Sequence, residues 1–147
     1  MTFQDDPSII CWKIHLKSSP QIVYGKLSTN EGRAAFWAES AIEQDEIIHF
    51  IFPNQAEWKG KILEKNPPRK FKVEYYGGSI TTFELESDGV NGTDLILTDQ
   101  GIPQEDRVEV IAGWVSVLMA LKASVDFGVD LRTHDPKRTW DEGYAEN

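Results

Sequence analysis

The chain has little cysteine and no leader-like N-terminus. Cys11 is its single cysteine in 147 residues, so the intramolecular disulfides that hold small secreted domains together are excluded. Met1 to Pro7 carries Asp5 and Asp6 where a signal peptide would have a basic and then an apolar region. Together, the two absences predict a cytoplasmic protein.

Long apolar runs and basic clusters are also missing. The longest uncharged run, Val110 to Leu121, has 12 residues, whereas a membrane-spanning helix needs about 20. Lys and Arg total 15 against 24 Asp and Glu, a net charge of −9. Nucleic acids and anionic membrane surfaces attract proteins with a concentrated basic patch. We therefore expect neither nucleic acid nor a membrane as a partner.

Motifs for catalysis and metal binding are scarce. The three histidines, His15, His49 and His134, fall in different predicted elements without the close spacing of a zinc site. Cys11 and His15 lie about 13 Å apart along one predicted strand, too far for a thiol–imidazole pair. No phosphate-binding glycine loop or nucleophile elbow occurs. The sequence predicts no catalytic residue, no metal and no cofactor.

Two polar residues keep an enzymatic alternative open. His49 lies inside the nearly continuous apolar run 47–52, which favours a histidine of the core or of a sheet edge over a catalytic one. A buried Asp99 would have a raised pKa and act as a base. The favoured interpretation is that Asp99 accepts hydrogen bonds from turn amides beside Gly101.

What the chain does contain is a series of strand patterns separated by turn signals. The first, Ile9 to Lys17, is followed by two short helices, one opened by Ser19-Pro20 and one capped by Asn30. Six more strand patterns follow: Ser40–Gln44, Glu46–Phe52, Ala56–Lys65, Lys70–Tyr76, Ser79–Ser87 and Thr93–Asp99. Their short connections have no room for crossover helices, so the sheet is predicted to be antiparallel, with one covered face.

A long helix is predicted from Glu105-Asp106 to about Leu131, roughly 27 residues or ~40 Å. It is apolar on most of its circumference and must be covered on more than one side. The predicted fold class is α+β of the helix-grip type: a curved antiparallel sheet of six or seven strands around a long C-terminal helix, with two short helices after strand one. We expect one domain over 1–147, with a core at about 8–131 and a tail, 132–147, that docks through Trp140.

Several segments carry a family resemblance. They are Phe36-Trp37 at the end of the second helix, EWKGKILEKNPPRKFKVEY at 57–75, GVNGTDLILTDQGI at 89–102 and GWVSVLMALKASVDFG at 113–128. With this order of elements the chain resembles the START-like (SRPBCC) superfamily. Within it, the chain is similar to the family of the C-terminal domain of the activator of the heat-shock-protein-90 ATPase. The resemblance implies a hydrophobic pocket between the sheet and the last helix.

The predicted site is this cavity. Inward-facing aromatic residues from separate elements are expected to converge on it. Trp114 and Met119 are bulky or flexible side chains near Gly113, which suits an irregular space. The predicted cavity residues are Trp37, His49, Trp58, Tyr75, Phe83, Trp114, Leu118 and Met119. The leading hypothesis is the binding of a small apolar or amphipathic ligand.

Two other functions stay open. One is a co-chaperone-type interaction domain with a chaperone as partner, which the resemblance implies. The other is an enzyme that uses a cavity carboxylate or His49. An exposed apolar stripe on the long helix would also pair across a two-fold axis, so we expect a homodimer.

Overall fold

The computed structural model describes residues 4–146, which contain one seven-stranded antiparallel sheet. Its spatial order is β1-β7-β6-β5-β4-β3-β2, so the first strand pairs with the last. The strands are β1 (Ile9–Leu16), β2 (Ser40–Gln44), β3 (Ile47–Ile51), β4 (Glu57–Asn66), β5 (Lys70–Glu74), β6 (Ile80–Ser87) and β7 (Thr93–Gln100). The predicted α+β helix-grip fold is confirmed.

Three α-helices accompany the sheet: α1 (Pro20–Ser28), α2 (Asn30–Ala34) and α3 (Arg107–Phe127). The Ser19 side chain caps α1 as predicted, by accepting a hydrogen bond from the amide of Ile22. The cap of α2 is Thr29 instead of Asn30, and it accepts from the amide of Gly32.

The long helix α3 ends earlier than predicted, at Phe127 instead of near Leu131. Gly128 adopts the left-handed conformation with φ of 65°. Its amide donates to the carbonyl of Ser124 and the amide of Val129 donates to that of Ala123. These two bonds form a glycine C-cap that satisfies the last carbonyls and turns the chain away. The helix has 21 residues, so it is about 32 Å long.

The curvature of the sheet is concentrated in β4. Residues 57–61 of this strand pair with β3, whereas residues 62–66 pair with β5, with a register shift after Ile62. Gly60 lies at the bend, where a β-carbon would come within 1.9 Å of the carbonyl oxygen of Glu74. Only glycine allows this close approach of two backbones. On this strand, Trp58 faces the space beside α3.

The core lies between the concave face of the sheet and one face of α3, where Trp114, Val117, Leu118 and Leu121 are buried. By length and composition alone, the helical segment Gln104–Phe127 is apolar enough to cross a membrane. The core helix of a globular domain meets the same criterion, and here the buried face packs into the hydrophobic core formed with the sheet.

Candidate ligand-binding site

A cavity of about 230 Å³, open to solvent on one side, lies between the sheet and the N-terminal half of α3. Trp58 reaches it from β4, and Tyr75 and Tyr76 reach it from the turn that follows β5. Trp114 and Val117 form the wall on the side of the helix. A strand, a turn and one face of a helix thus bring large side chains to a single space.

The aromatic rings of the wall support one another. The ring centroid of Trp58 lies 5.2 Å from that of Tyr75 and 5.3 Å from that of Tyr76, with interplanar angles of 81° and 62°. The ring centroid of Phe52, which also lines the cavity, lies 4.5 Å from that of Trp58. Edge-to-face contacts of this kind are favourable beyond the area they bury, so the wall is held in place before any ligand enters.

The hydroxyl of Tyr75 is enclosed within this wall. It accepts a hydrogen bond of 2.9 Å from the indole Nε1 of Trp37, which is itself fully buried. Burial raises the pKa of Tyr75 far above its usual range, because the phenolate would lose its hydration. The hydroxyl is therefore neutral at every physiological pH and serves as a structural hydrogen-bonding group.

Trp114 is held by a buried carboxylate. Its Nε1 donates to Oδ2 of Asp99 at 2.8 Å, and the Thr81 hydroxyl donates to Oδ1 at 3.0 Å. Asp99 is fully buried, and burial raises its pKa while the hydrogen bond from Trp114 opposes the shift. The expectation that Asp99 binds turn amides beside Gly101 is wrong, because these hydrogen bonds come from side chains of the core. Asp99 orients the Trp114 ring against the cavity.

Gly113 leaves space in the middle of the helix wall. It faces the cavity between Val110 and Val117, and a β-carbon built on it would meet no atom within 4 Å. A glycine in a helix interior costs about 1 kcal/mol relative to alanine. Glycine at position 113 therefore makes the helix less stable than alanine would, and it leaves the cavity wider than any other residue would.

The C-terminal segment covers one side of the cavity. Trp140 and Asp141 both line it. The indole Nε1 of Trp140 donates to Oε1 of Glu109 at 2.6 Å, and the Asn54 side chain donates to Oδ2 of Asp141 at 3.0 Å. These contacts tie the segment to α3 on one side and to the loop after β3 on the other.

The same segment is anchored nearer its start by Arg132 and His134. The Arg132 guanidinium is buried and donates to the carbonyl of Ala38 at 2.7 Å and to Asp130 at 2.9 Å. His134 lies between Asp130, at 2.7 Å, and Glu39, at 2.6 Å. The hydrogen bond to Asp130 is the main cause of the raised pKa of His134.

Three of the eight predicted site residues, Trp58, Tyr75 and Trp114, lie on the cavity wall. Trp37, Phe83 and Leu118 are buried in the core behind that wall. The ring of Trp37 lies 5.6 Å from that of Tyr75, which places it in the layer that supports the wall.

The structure places His49 and Met119 outside the cavity. Ile48 and Phe50 are the inward residues of β3, so the alternation of the strand turns His49 to the outer face, where its Nε2 lies 3.2 Å from Glu57. Met119 follows Trp114 by five residues, about 140° around the helix, and is 48% exposed. Without His49, the enzymatic alternative loses one of its two candidate residues.

Several residues of the site were not predicted from the sequence. Phe52 continues the inward alternation of Ile48 and Phe50 past the end of β3, a signal that was available. The rim carboxylates Asp106 and Glu109 lie in and beside the first turn of α3, a position that by itself indicates only the start of a helix. Within residues 4–146 no group of three His, Cys, Asp or Glu residues has the geometry to hold a metal ion.

A curved antiparallel sheet that closes over a long C-terminal helix, with a cavity between them, defines a helix-grip protein of the START-like class. The model of the family described as "Activator of Hsp90 ATPase homolog 1-like protein" matches residues 17–126. The chain belongs to this family, and the resemblance found in the sequence is confirmed. No match occurs among curated proteins.

Solved structures with low sequence identity share the fold. The solution structure of an Aha1 dimer from Colwellia psychrerythraea has a TM-score of 0.73 and 22% identity, covering 82% of this chain and 97% of that one. A protein from Staphylococcus saprophyticus has a TM-score of 0.72 and 22% identity, covering 84% and 96%. An AHSA1-like protein from Aeromonas hydrophila has a TM-score of 0.67 and 14% identity, covering 80% and 91%.

Proposed function

We propose that the protein binds a small amphipathic ligand in the cavity between the sheet and α3. The observation that carries this proposal is a cavity lined mainly by aromatic and aliphatic side chains, with carboxylates at its rim. Apolar walls with a few placed polar groups are typical of small-molecule sites. A dry cavity of ~150 Å³ holds benzene, and the present 230 Å³ is about one and a half times that volume. The size favours a single ring with a short substituent.

A cavity-filling substitution tests the proposal. Gly113→Leu directs a side chain into the cavity from the middle of its helix wall. We expect native mass spectrometry to detect a ligand on the wild type purified from its own host, and to detect none on Gly113→Leu. The matched control is Gly25→Leu in α1, where a β-carbon also meets no atom within 4 Å. Binding that is equal in the wild type and in Gly113→Leu would show that the ligand lies elsewhere.

We also propose that a second copy of the chain covers the exposed stripe of α3. Val108, Val115 and Met119 lie on one side of the helix and are 81%, 41% and 48% exposed. Large apolar side chains grouped on one face are typical of interfaces. The similar protein from Colwellia psychrerythraea is described as a dimer, and a two-fold pairing is the commonest assembly of soluble proteins.

Analytical ultracentrifugation tests this assembly. The wild type is expected to sediment with twice the 16.7 kDa mass of the chain, and the double variant Val115→Lys/Met119→Lys as a monomer. Val90→Lys is the matched control, because Val90 is 78% exposed but lies on the loop between β6 and β7. A monomeric wild type at 100 µM, or a double variant that stays dimeric, contradicts the proposal.

The family description supports a second function, interaction with a chaperone ATPase. A purified Hsp90 ATPase assay distinguishes it from ligand binding alone. If the wild type and Gly113→Leu stimulate the ATPase rate to the same extent, the protein has a chaperone-related function that is independent of the cavity. No stimulation by either protein would leave the ligand-binding proposal as the remaining function.

A further inference from the structure

The rim of the cavity is acidic. Asp106, Glu109 and Asp141 line it, and no Lys, Arg or His is among the residues that line the cavity. Within the described part of the chain, none of the three carboxylates lies within 4.0 Å of a basic nitrogen. Arg107, the neighbour of Asp106 in sequence, is directed to the carbonyl of Ile9 instead.

Each of these carboxylates has one oxygen bound to a neutral donor. Oδ2 of Asp106 accepts a hydrogen bond from the Tyr76 hydroxyl at 2.9 Å. Oε1 of Glu109 accepts one from the Trp140 indole, and Oδ2 of Asp141 accepts one from the Asn54 amide. These donors hold the carboxylates in place without neutralising them. In residues 4–146 the other oxygen of each carboxylate has no hydrogen-bond partner, so it remains able to accept from a ligand.

The negative charge of the rim raises the pKa of Tyr76. The hydrogen bond to Asp106 is the main cause of the raised pKa of Tyr76, and the charges of Glu109 and Glu105 raise it further. Tyr76 lines the cavity. An anion placed there would meet the same repulsion that disfavours the tyrosinate, and a cation would be attracted.

The walls below the rim also suit a cation. Trp58, Tyr75, Tyr76, Trp114 and Trp140 all line the cavity. The negative face of an aromatic ring attracts an ammonium group, most strongly for tryptophan and where water is excluded. Tyr76 and Trp140 are bonded to rim carboxylates, so rings and carboxylates at the rim favour the same sign of charge.

We propose that the ligand is an organic cation, an amine or quaternary ammonium compound with a short aromatic or apolar body. This inference rests on the proposed ligand-binding function and names the chemical class of the ligand. The apolar body occupies the cavity against Trp58, Tyr75 and Trp114. The ammonium group lies at the rim beside Asp106, Glu109 and Asp141, where the rings of Tyr76 and Trp140 are bonded to two of these carboxylates. Acidic and neutral ligands of the same shape bind more weakly.

A pair of isosteric probes tests the proposal by isothermal titration calorimetry. Phenyltrimethylammonium and tert-butylbenzene have the same shape and differ in the charge on one atom. The wild type is expected to bind the cation about tenfold more tightly at low salt. This preference is expected to shrink in 0.5 M salt because screening weakens the attraction to an exposed rim.

Substitutions at the rim assign the preference to these carboxylates. Glu109→Gln/Asp141→Asn is expected to bring the affinity for the cation down to that for the neutral probe, with the neutral probe unaffected. The control Glu84→Gln/Glu86→Gln removes the same charge from exposed positions of β6 and should leave both affinities unchanged. The measured unfolding temperature of each variant verifies that it is folded.

The possible outcomes separate this inference from the proposed function. Equal or tighter binding of tert-butylbenzene overturns the charge preference and leaves ligand binding in the cavity intact. A cation preference that survives the rim substitutions overturns the role of the carboxylates. Absence of binding by phenyltrimethylammonium at millimolar concentration, and by tert-butylbenzene up to its limit of solubility, counts against the cavity as a ligand site and against the inference with it.

Discussion

The substitution Gly113→Ala tests the role of the glycine in the interior of α3, beside the cavity. Gly113 lies inside the helix, and a β-carbon there meets no atom within 4 Å. Alanine favours a helix interior over glycine by about 1 kcal/mol, and no clash opposes this gain. We therefore expect the free energy of unfolding to rise by ~1 kcal/mol. For a chain of this size that corresponds to an increase of about 2–4 °C in Tm.

The same methyl group is expected to weaken ligand binding, because it narrows the cavity. Gly25→Ala is the matched control, since Gly25 is also helical and a β-carbon there also meets no atom within 4 Å. Both variants should gain similar stability in urea unfolding followed by circular dichroism. Only Gly113→Ala should lose affinity for phenyltrimethylammonium.

Two results would refute this reasoning. A loss of stability in Gly113→Ala, with a gain in Gly25→Ala, would mean that the space beside Gly113 is closed in solution. Unchanged ligand affinity in Gly113→Ala, despite the gain in stability, would mean that the ligand does not contact this part of α3.

Three further predictions concern the fold around the site. Gly60→Ala should destabilise the protein by at least about 2 kcal/mol in urea unfolding, because its β-carbon would overlap the carbonyl of Glu74. Burial raises the pKa of Asp99, so the contribution of its protonated form to stability is present below pH 3.8 and is lost as the pH rises through the raised value. The free energy of unfolding of Asp99→Asn should therefore increase relative to that of the wild type from pH 4 to pH 7, as measured by urea unfolding. The raised pKa of His134 means that its contribution is present below pH 6.5 and is lost above the folded-state value. Hydrogen exchange at 132–141 should accelerate from pH 6 to pH 9, after correction for intrinsic rates, in the wild type and not in His134→Gln.

The strand pattern was predictable because it is local. In β5, Phe71 and Val73 alternate with charged residues, and this alternation alone predicts the buried face. The same alternation correctly predicts that Trp58 and Tyr75 face inward. The alternation of β3 is masked around His49, because Ile47 and Ile51 on its outer face are as apolar as the inward residues Ile48 and Phe50. Ile47 and His49 share the outer face of a strand near the sheet edge, where apolar residues are tolerated.

The orientation of α3 was not predictable from its own residues. A helix that is apolar on nearly every side does not indicate which face packs on the sheet, so Trp114 and Met119 were both assigned to the cavity. The end of α3 had a local signal in Gly128, which forms the C-cap. That signal was outweighed by the apolar residues that continue beyond it to Leu131.

The order of strand, turn and helix patterns in the sequence determined that the chain folds as an α+β domain, and its composition determined the net negative charge. The tertiary structure alone decided where that acidity is concentrated. Glu109 lies in the first turn of α3 and Asp141 follows the helix by 14 residues, yet both reach one rim. They meet because the glycine cap at Gly128 redirects the chain and the buried Arg132 holds it against the connection between α2 and β2. Long-range contacts of this kind have no periodic signature in a sequence, since each depends on the whole fold being in place.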